Sequence, residues 1–208
     1  MTAIGATTTR VLAIMAAAAW LAASWTASAQ TQAGGGVLTY TTAGELVRPD
    51  FREWVFLGAG LGMTYTPTST PPTAATRPPA FTNVYVNPGA YRGFMKTGTW
   101  PDQTVFILEI RASATEGSIN RGGHYQTGVL AIEAEVKDSR LPGGWAFYNF
   151  GRAARAAALP KTAECYSCHA SKGAVEQTFV QFYPALLEVA RAKGTLNPSY
   201  LSAEKSHP

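Results

Sequence analysis

Cysteine is nearly absent from this chain: two occur in 208 residues, Cys165 and Cys168. A scaffold stapled by several disulfides is therefore excluded. Methionine is almost as scarce, and none of the four lies after Cys168. Charged residues make up only 14% of the chain, and no block of like charge stands out. Lys and Arg outnumber Asp and Glu by 17 to 13, a formal +4, but they form no basic block, so nucleic acid is not a natural partner. The longest apolar run, the Ala-rich stretch from Val11 to Trp25, is short for a membrane span of ~20 residues. No internal repeat is present, which removes solenoids and propellers.

What is there begins with the two cysteines. They stand in Cys165-Tyr166-Ser167-Cys168-His169, the Cys-x-x-Cys-His pattern of c-type haem attachment. Two thiols three positions apart can form thioethers to the two vinyl groups of one haem. The next residue then offers an imidazole to the iron. A Cys165–Cys168 disulfide or a thioredoxin-like pair is the bland alternative, but a redox pair wants a βαβ context. Here a C-terminal helix follows. A zinc site needs about four ligands, and the remaining histidines are only His124 and His207. The motif therefore predicts haem c attached through Cys165 and Cys168, with iron held by His169. Scarce charge and 11% aromatic content suit a domain built around a flat apolar cofactor.

The first 29 residues read as a secretory signal. Arg10 precedes the apolar run, and Ala27-Ser28-Ala29 is a small-residue cleavage site before Gln30. An uncleaved anchor is the alternative. Export agrees with c-type haem attachment outside the bacterial cytoplasm, so a periplasmic protein is expected. About 180 residues then remain, enough for one domain with a sizeable core. Loss of Arg10 leaves a charge of about +3, which permits an acidic redox partner. The expected division is a signal at 1–29, a flexible leader at 30–44 and one haem-binding domain at 45–208.

Along that domain, Asp50 with Glu53 in capping-box position predicts a short helix, with Phe51, Trp54 and Val55 on one face. Residues 64–80, dense in Thr and Pro, predict a loop. Four strands are expected, at Phe81–Val86, Thr104–Ile110, Val129–Lys137 and Trp145–Phe150. A helix over Tyr91–Lys96, ended by Gly98, separates the first two. Residues 174–193 predict a helical segment broken near Pro184. The class expected is α+β, mainly antiparallel sheet packed with a few helices and a C-terminal haem-binding segment.

This order differs from the commonest small c-type cytochromes, which are helical, carry the haem motif near the N-terminus and use a later Met as second axial ligand. Met63 and Met95 are the candidates here, and Met is more often a core gap-filler. The iron is thus expected to keep an open face, which implies binding or catalysis rather than plain electron transfer.

The ordered segments Phe51-Arg52-Glu53-Trp54-Val55-Phe56, Tyr85-Val86-Asn87-Pro88, Lys96-Thr97-Gly98 and Pro101-Asp102-Gln103-Thr104 resemble the cytochrome P-460 family, which includes cytochrome c′-beta. Ile132-Glu133-Ala134-Glu135-Val136-Lys137-Asp138-Ser139, Trp145-Ala146-Phe147-Tyr148, the haem segment from Thr162 and Phe182-Tyr183-Pro184 continue the likeness. The resemblance implies a sheet-rich homodimer with one five-coordinate c-type haem. Its P-460 members oxidise hydroxylamine, with nitric oxide as ligand or intermediate. Its c′-beta members bind nitric oxide and similar gases behind an apolar cap. P-460 members also bond a Lys nitrogen to the porphyrin edge. Aligned from Asp102 and Thr104, that position falls on Leu108, and residues 104–110 contain no Lys. Lys96, the nearest, reads as a surface residue.

Glu133 matches the family's carboxylate near the distal pocket and could take protons from a bound N–OH group. Burial would raise its pKa toward a useful range. Glu133 and Glu135 share a strand face, which turns either to the haem or to solvent. Arg52 could meet a haem propionate or lie on the surface. Phe51, Trp54, Phe106, Leu108, Trp145 and Phe147 could wall the haem or simply form core. His124, in a Gly-rich loop, reads as solvated, or as a distal ligand or proton relay.

Two functions follow as expectations. One is a periplasmic haem oxidoreductase acting on hydroxylamine or nitric oxide, with Glu133 as catalytic base and a soluble electron acceptor such as another cytochrome. The other is a gas-binding cytochrome without turnover; a bare electron-transfer cytochrome is a third. The export signal has a direct check. N-terminal sequencing of the secreted protein is expected to begin at Gln30, and a chain retaining residues 1–29 would mark an anchor.

Overall fold

In the computed structural model, residues 37–63 and 78–206 are described. They belong to the unit Gly36–Pro208. The signal at 1–29, most of the 64–80 loop and His207 lie outside the described residues.

Five antiparallel strands form the main sheet, in the order β2-β3-β4-β5-β6. They are β2 (Val55–Leu61), β3 (Phe81–Val86), β4 (Thr104–Ala114), β5 (Tyr125–Lys137) and β6 (Trp145–Gly151). Sequence order and spatial order coincide, so the sheet is a meander. A small pair, β1 (Leu46–Val47) and β7 (Arg155–Ala156), lies apart from it. Helix α1 (Pro88–Thr97) connects β3 to β4. After the strands come α2 (Glu164–Lys172), a short 3-10 turn (Val180–Phe182), α3 (Pro184–Lys193) and α4 (Pro198–Ser206). The class is α+β with mainly antiparallel sheet, as the sequence predicts.

Period-two alternation sorts the strand residues onto two faces. One face carries Val105, Ile107, Ala134, Val136 and Tyr148, packed with Leu38, Leu46 and Phe51. The other carries Val86, Phe106 and Trp145, packed with Phe94 of α1, Val175, and Leu186 and Ala190 of α3. The second face holds the cavity described below.

Corner residues fix the strand ends. Gly98 caps α1 at φ 77°, a left-handed conformation in which a Cβ is unfavourable, and its amide donates to Phe94 O. Phe94 and Trp100 stack at 4.1 Å. Asn87 accepts the Val105 amide at 2.9 Å, and Asp102 accepts the Ser139 amide at 2.6 Å. The Asn-Pro and Pro-Asp segments therefore hold the turns between strands.

Four sequence expectations need correction. Residues 50–53 form a turn, not a helix: Asp50 Oδ1 accepts the Arg52 amide at 3.2 Å, an Asx turn, and the chain then enters β2. Strand β2 itself was hidden by Gly58-Ala59-Gly60, which blur the apolar alternation. Residues 37–44 are not a free leader. Leu38 is buried, Tyr40 bridges Leu46, and the Tyr40 hydroxyl reaches Asp138 at 3.4 Å. In the C-terminal segment the helix expected from residue 174 is absent: Val175 bridges Thr178, a 3-10 turn follows at Val180–Phe182, and α3 starts only at Pro184, where a proline at the first helical position forfeits no bond.

Glu109 on the first face is an ionised group only 1% exposed. Arg111 Nε lies 2.8 Å from its Oε2 and Arg52 Nη1 2.9 Å from its Oε1. Burial alone would raise the Glu109 carboxyl, but the two guanidinium groups outweigh it and hold it below the usual range. A depressed native pKa contributes stability above the unfolded value, lost as pH falls through the native one. Arg111→Met strips Glu109 of its two-point partner. An expected loss of about 3 kcal/mol or more at neutral pH, read by urea titration, should shrink as the pH is lowered and Glu109 protonates.

Candidate functional site

No side chain of helix α2 is fully buried. Residues on its inner side instead line a cavity of about 750 Å³ between the helix and the second sheet face. Cys165, Cys168 and His169 all line it, and both thiols are free. The sheet supplies the opposite wall.

Strand register explains which side chains the sheet presents. Gly58 pairs with Val84, Val84 with Leu108, Leu108 with Glu133, and Glu133 with Asn149. All five line the cavity. One cross-strand row thus runs from no side chain, through two aliphatic ones, to a carboxylate and an amide. The neighbouring row includes Phe106, Glu135 and Phe147, also paired in register and also in the wall. Phe179 and Phe182 add aromatic surface from the segment before α3.

His169 is fixed on three sides. Its ring lies 4.6 Å from Phe147 and 4.2 Å from Phe179, centroid to centroid. Its Nδ1 is 2.8 Å from the Gln177 carbonyl, which must accept a proton borne on that nitrogen. Glu135 Oε1 flanks the same Nδ1 at 3.3 Å, close enough to pair but not aligned as a full hydrogen bond, and it has no other donor. With Nδ1 carrying the proton, Nε2 keeps the lone pair.

Electrostatics sets the two carboxylates of the wall apart from Glu109. Burial raises the Glu133 carboxyl, opposed by the positive charge His169 carries when protonated. Its Oε1 accepts from Asn149 Nδ2 at 3.0 Å. Glu135, 9% exposed, is raised by burial against the pull of His169. Burial lowers His169, but Glu135 and the Gln177 carbonyl together raise it further. Burial also pushes the Cys165 thiol up.

Of the residues expected in the site, Cys165, Cys168, His169, Glu133 and Leu108 come together around this cavity, with Phe106 and Phe147 in its wall. Arg52 does not join them. It sits against the opposite sheet face, paired with Glu109 and stacked on Phe51 at 4.6 Å. Phe51 and Trp54 belong to the first-face core, and Trp145 packs with the helices rather than in the wall. His124 meets Ser113 Oγ at 3.4 Å, away from the cavity. Met63 is in the wall; Met95 is exposed on α1. Sequence reasoning missed Gln177, which acts through its backbone carbonyl and so leaves no residue-type signal. It also missed Asn149, detectable only as the residue two past Phe147 on the same strand face.

The fold and this site define a haem protein. A sequence model of the Cytochrome P460 family matches residues 48–180, and the chain belongs to that family. It is a haem c-type cytochrome of the P460 and c′-beta kind. No curated protein matches the chain.

The residues present fit a haem. The cavity falls within the ~300–1,000 Å³ of cofactor sites and is walled mainly by apolar side chains. Cys165 and Cys168 would hold the porphyrin edge and His169 Nε2 the iron. No lysine is among the described residues lining the cavity, so Leu108 has no basic substitute nearby. Covalent attachment has a simple readout. Acid–acetone should leave haem on the wild-type protein and extract it from Cys165→Ala/Cys168→Ala; extraction from both would mean the thiols are not bonded to it.

Proposed function

We propose that the protein is an exported haem oxidoreductase that oxidises hydroxylamine and delivers the electrons to a soluble acceptor. The observation that carries this reading is the Glu133 carboxylate inside the cavity that also holds Cys165, Cys168 and His169. Export rests on the reading of residues 1–29 as a signal.

Haem, when bound, supplies an open iron coordination position and one-electron redox chemistry. The chain supplies the rest. His169 holds the iron, oriented through Nδ1. Val84, Leu108 and the phenylalanines of the wall exclude water from the reacting nitrogen. Glu133, half-buried and raised by that burial, accepts protons from the substrate N–OH group. Asn149 Nδ2 holds one carboxylate oxygen and leaves the other for the substrate. Conversion of hydroxylamine to nitric oxide releases three protons and three electrons. The protons leave by way of Glu133, and the electrons pass singly to the acceptor.

A second reading has its own support. The wall contains no lysine among the described residues, and its central row is aliphatic at Val84 and Leu108. Such a surface admits small apolar gases, and a protein that binds nitric oxide without turnover meets the same constraints.

Hydroxylamine with a soluble one-electron acceptor separates the two. Turnover in the wild type is expected to drop by about 10²-fold or more in Glu133→Gln. The wild-type rate should fall with an acidic limb above the ordinary carboxylate value of 4.5. As pH falls through the raised pKa, Glu133 takes its proton and ceases to act as base; the variant should lose that limb. Absence of turnover, with reversible nitric oxide binding, would replace the first reading by the second.

A further inference from the structure

His169 Nδ1 faces two acceptors, and only one of them comes from the backbone. The Gln177 carbonyl is held where it is by a braced turn. Glu176 sits at φ 52°, outside the range side-chain-bearing residues prefer. Its carboxylate binds Lys137 Nζ at 2.7 Å, its carbonyl accepts from Asn197 Nδ2 at 2.7 Å, and Trp100 Nε1 donates to Thr178 Oγ1 at 2.9 Å. Gly173, at the start of the turn, packs so closely that a Cβ would meet the Thr178 amide nitrogen at 2.8 Å. A strained turn tied at four points persists only because its surroundings hold it.

Glu135 is the second acceptor, and its position has no structural explanation of its own. Its Oε1 is buried without a hydrogen-bond donor, an expensive arrangement that a leucine of similar bulk would avoid. Among the described residues, the cationic group paired with it is His169 Nδ1. Its strand neighbour two residues on, Lys137, is turned instead to Glu176 and the Trp100 carbonyl.

We infer that Glu135 is a positioning residue for the haem iron. Together with the Gln177 carbonyl it draws on the Nδ1 proton of His169, strengthens the imidazole as a donor to iron and favours the ferric state. The inference rests on haem ligation by His169, but not on hydroxylamine turnover. A carboxylate beyond a ligating histidine fixes the ring and raises its basicity, and hydrogen bonding outside the ligands is one lever by which a protein sets haem potential. The same strand then divides its two carboxylates: Glu133 serves the substrate, and Glu135 serves the metal through its ligand.

Two readouts of purified haem-loaded protein test this without any substrate: the iron–histidine stretching band of the ferrous form and the reduction midpoint. In Glu135→Leu the band should move to lower frequency and the midpoint to more positive values. A tenfold change in the ferric-to-ferrous preference corresponds to 59 mV for a one-electron couple. Glu135→Gln, which keeps an acceptor oxygen, should shift both less. Asn197→Ala, which loosens the Gln177 turn from outside the cavity, should shift the band in the same direction and guards against a variant at 135 that fails to load haem. An unchanged band and midpoint in haem-loaded Glu135→Leu would overturn the inference. A wild-type protein showing no iron–histidine band would instead sink the ligand assignment on which it depends.

Discussion

The contact on which the structure turns is the one between His169 Nδ1 and the Gln177 carbonyl, 2.8 Å apart. No side chain of helix α2 is fully buried, so two partly buried rings, Tyr166 and His169, tie the helix to the sheet; Tyr166 meets Phe147 edge-on at 4.8 Å and donates to the Leu159 carbonyl at 3.2 Å. His169 adds the anchor at the cavity, its ring set between Phe147 and Phe179 and one nitrogen held by the Gln177 carbonyl. The elements after α2 are arranged to keep that anchor in place. Asn197, just before α4, spans the turn by donating to the carbonyls of Gly173 and Glu176. Lys137, at the end of β5, holds Glu176 from the sheet side. A displaced turn would move the carbonyl, and a moved carbonyl would release the ring.

The sheet treats its buried carboxylates in two opposite ways. Glu109 is nearly inaccessible and fully compensated, with three nitrogens of Arg52 and Arg111 on its two oxygens. It is a structural group, held ionised. Glu133 and Glu135, on the other face, are buried with little compensation, and burial raises both. Buried groups left in this condition cost stability, and they cluster where chemistry is done. The strand alternation that sends Glu109 to one face and Leu108 to the other therefore separates a stability site from the cavity wall within two adjacent residues.

That alternation was legible in the sequence, and it is why Glu133 and Glu135 could be placed on one strand face from the pattern alone; Leu108 entered the site only through the family resemblance. The four strands with β-branched and aromatic residues were equally plain, differing only in length. The pattern failed where glycine broke it, at Gly58 and Gly60 of β2, and where polar side chains could serve either a cap or a turn, at Asp50. It failed for Arg52 because a guanidinium suits a propionate and a carboxylate alike, and the partner that takes it, Glu109, becomes its neighbour only through the register of a strand far along the chain. Gln177 was beyond reach altogether, since any residue can offer a carbonyl.

Leu108 is more than the place where a lysine is missing. It is directly paired with Glu133 across β4 and β5, at the ~4.5–5.5 Å Cβ separation of such neighbours. An aliphatic side chain there removes water from one side of the carboxylate, and loss of water is the leading cause of the raised Glu133 pKa. A lysine in the same place would do the reverse, since a cation beside a carboxylate stabilises its charge and lowers its pKa. The residue that withdraws one kind of chemistry from the cavity thus helps to prepare another. With Leu108 in the row, the carboxylate is a stronger proton acceptor once ionised, set against an apolar wall.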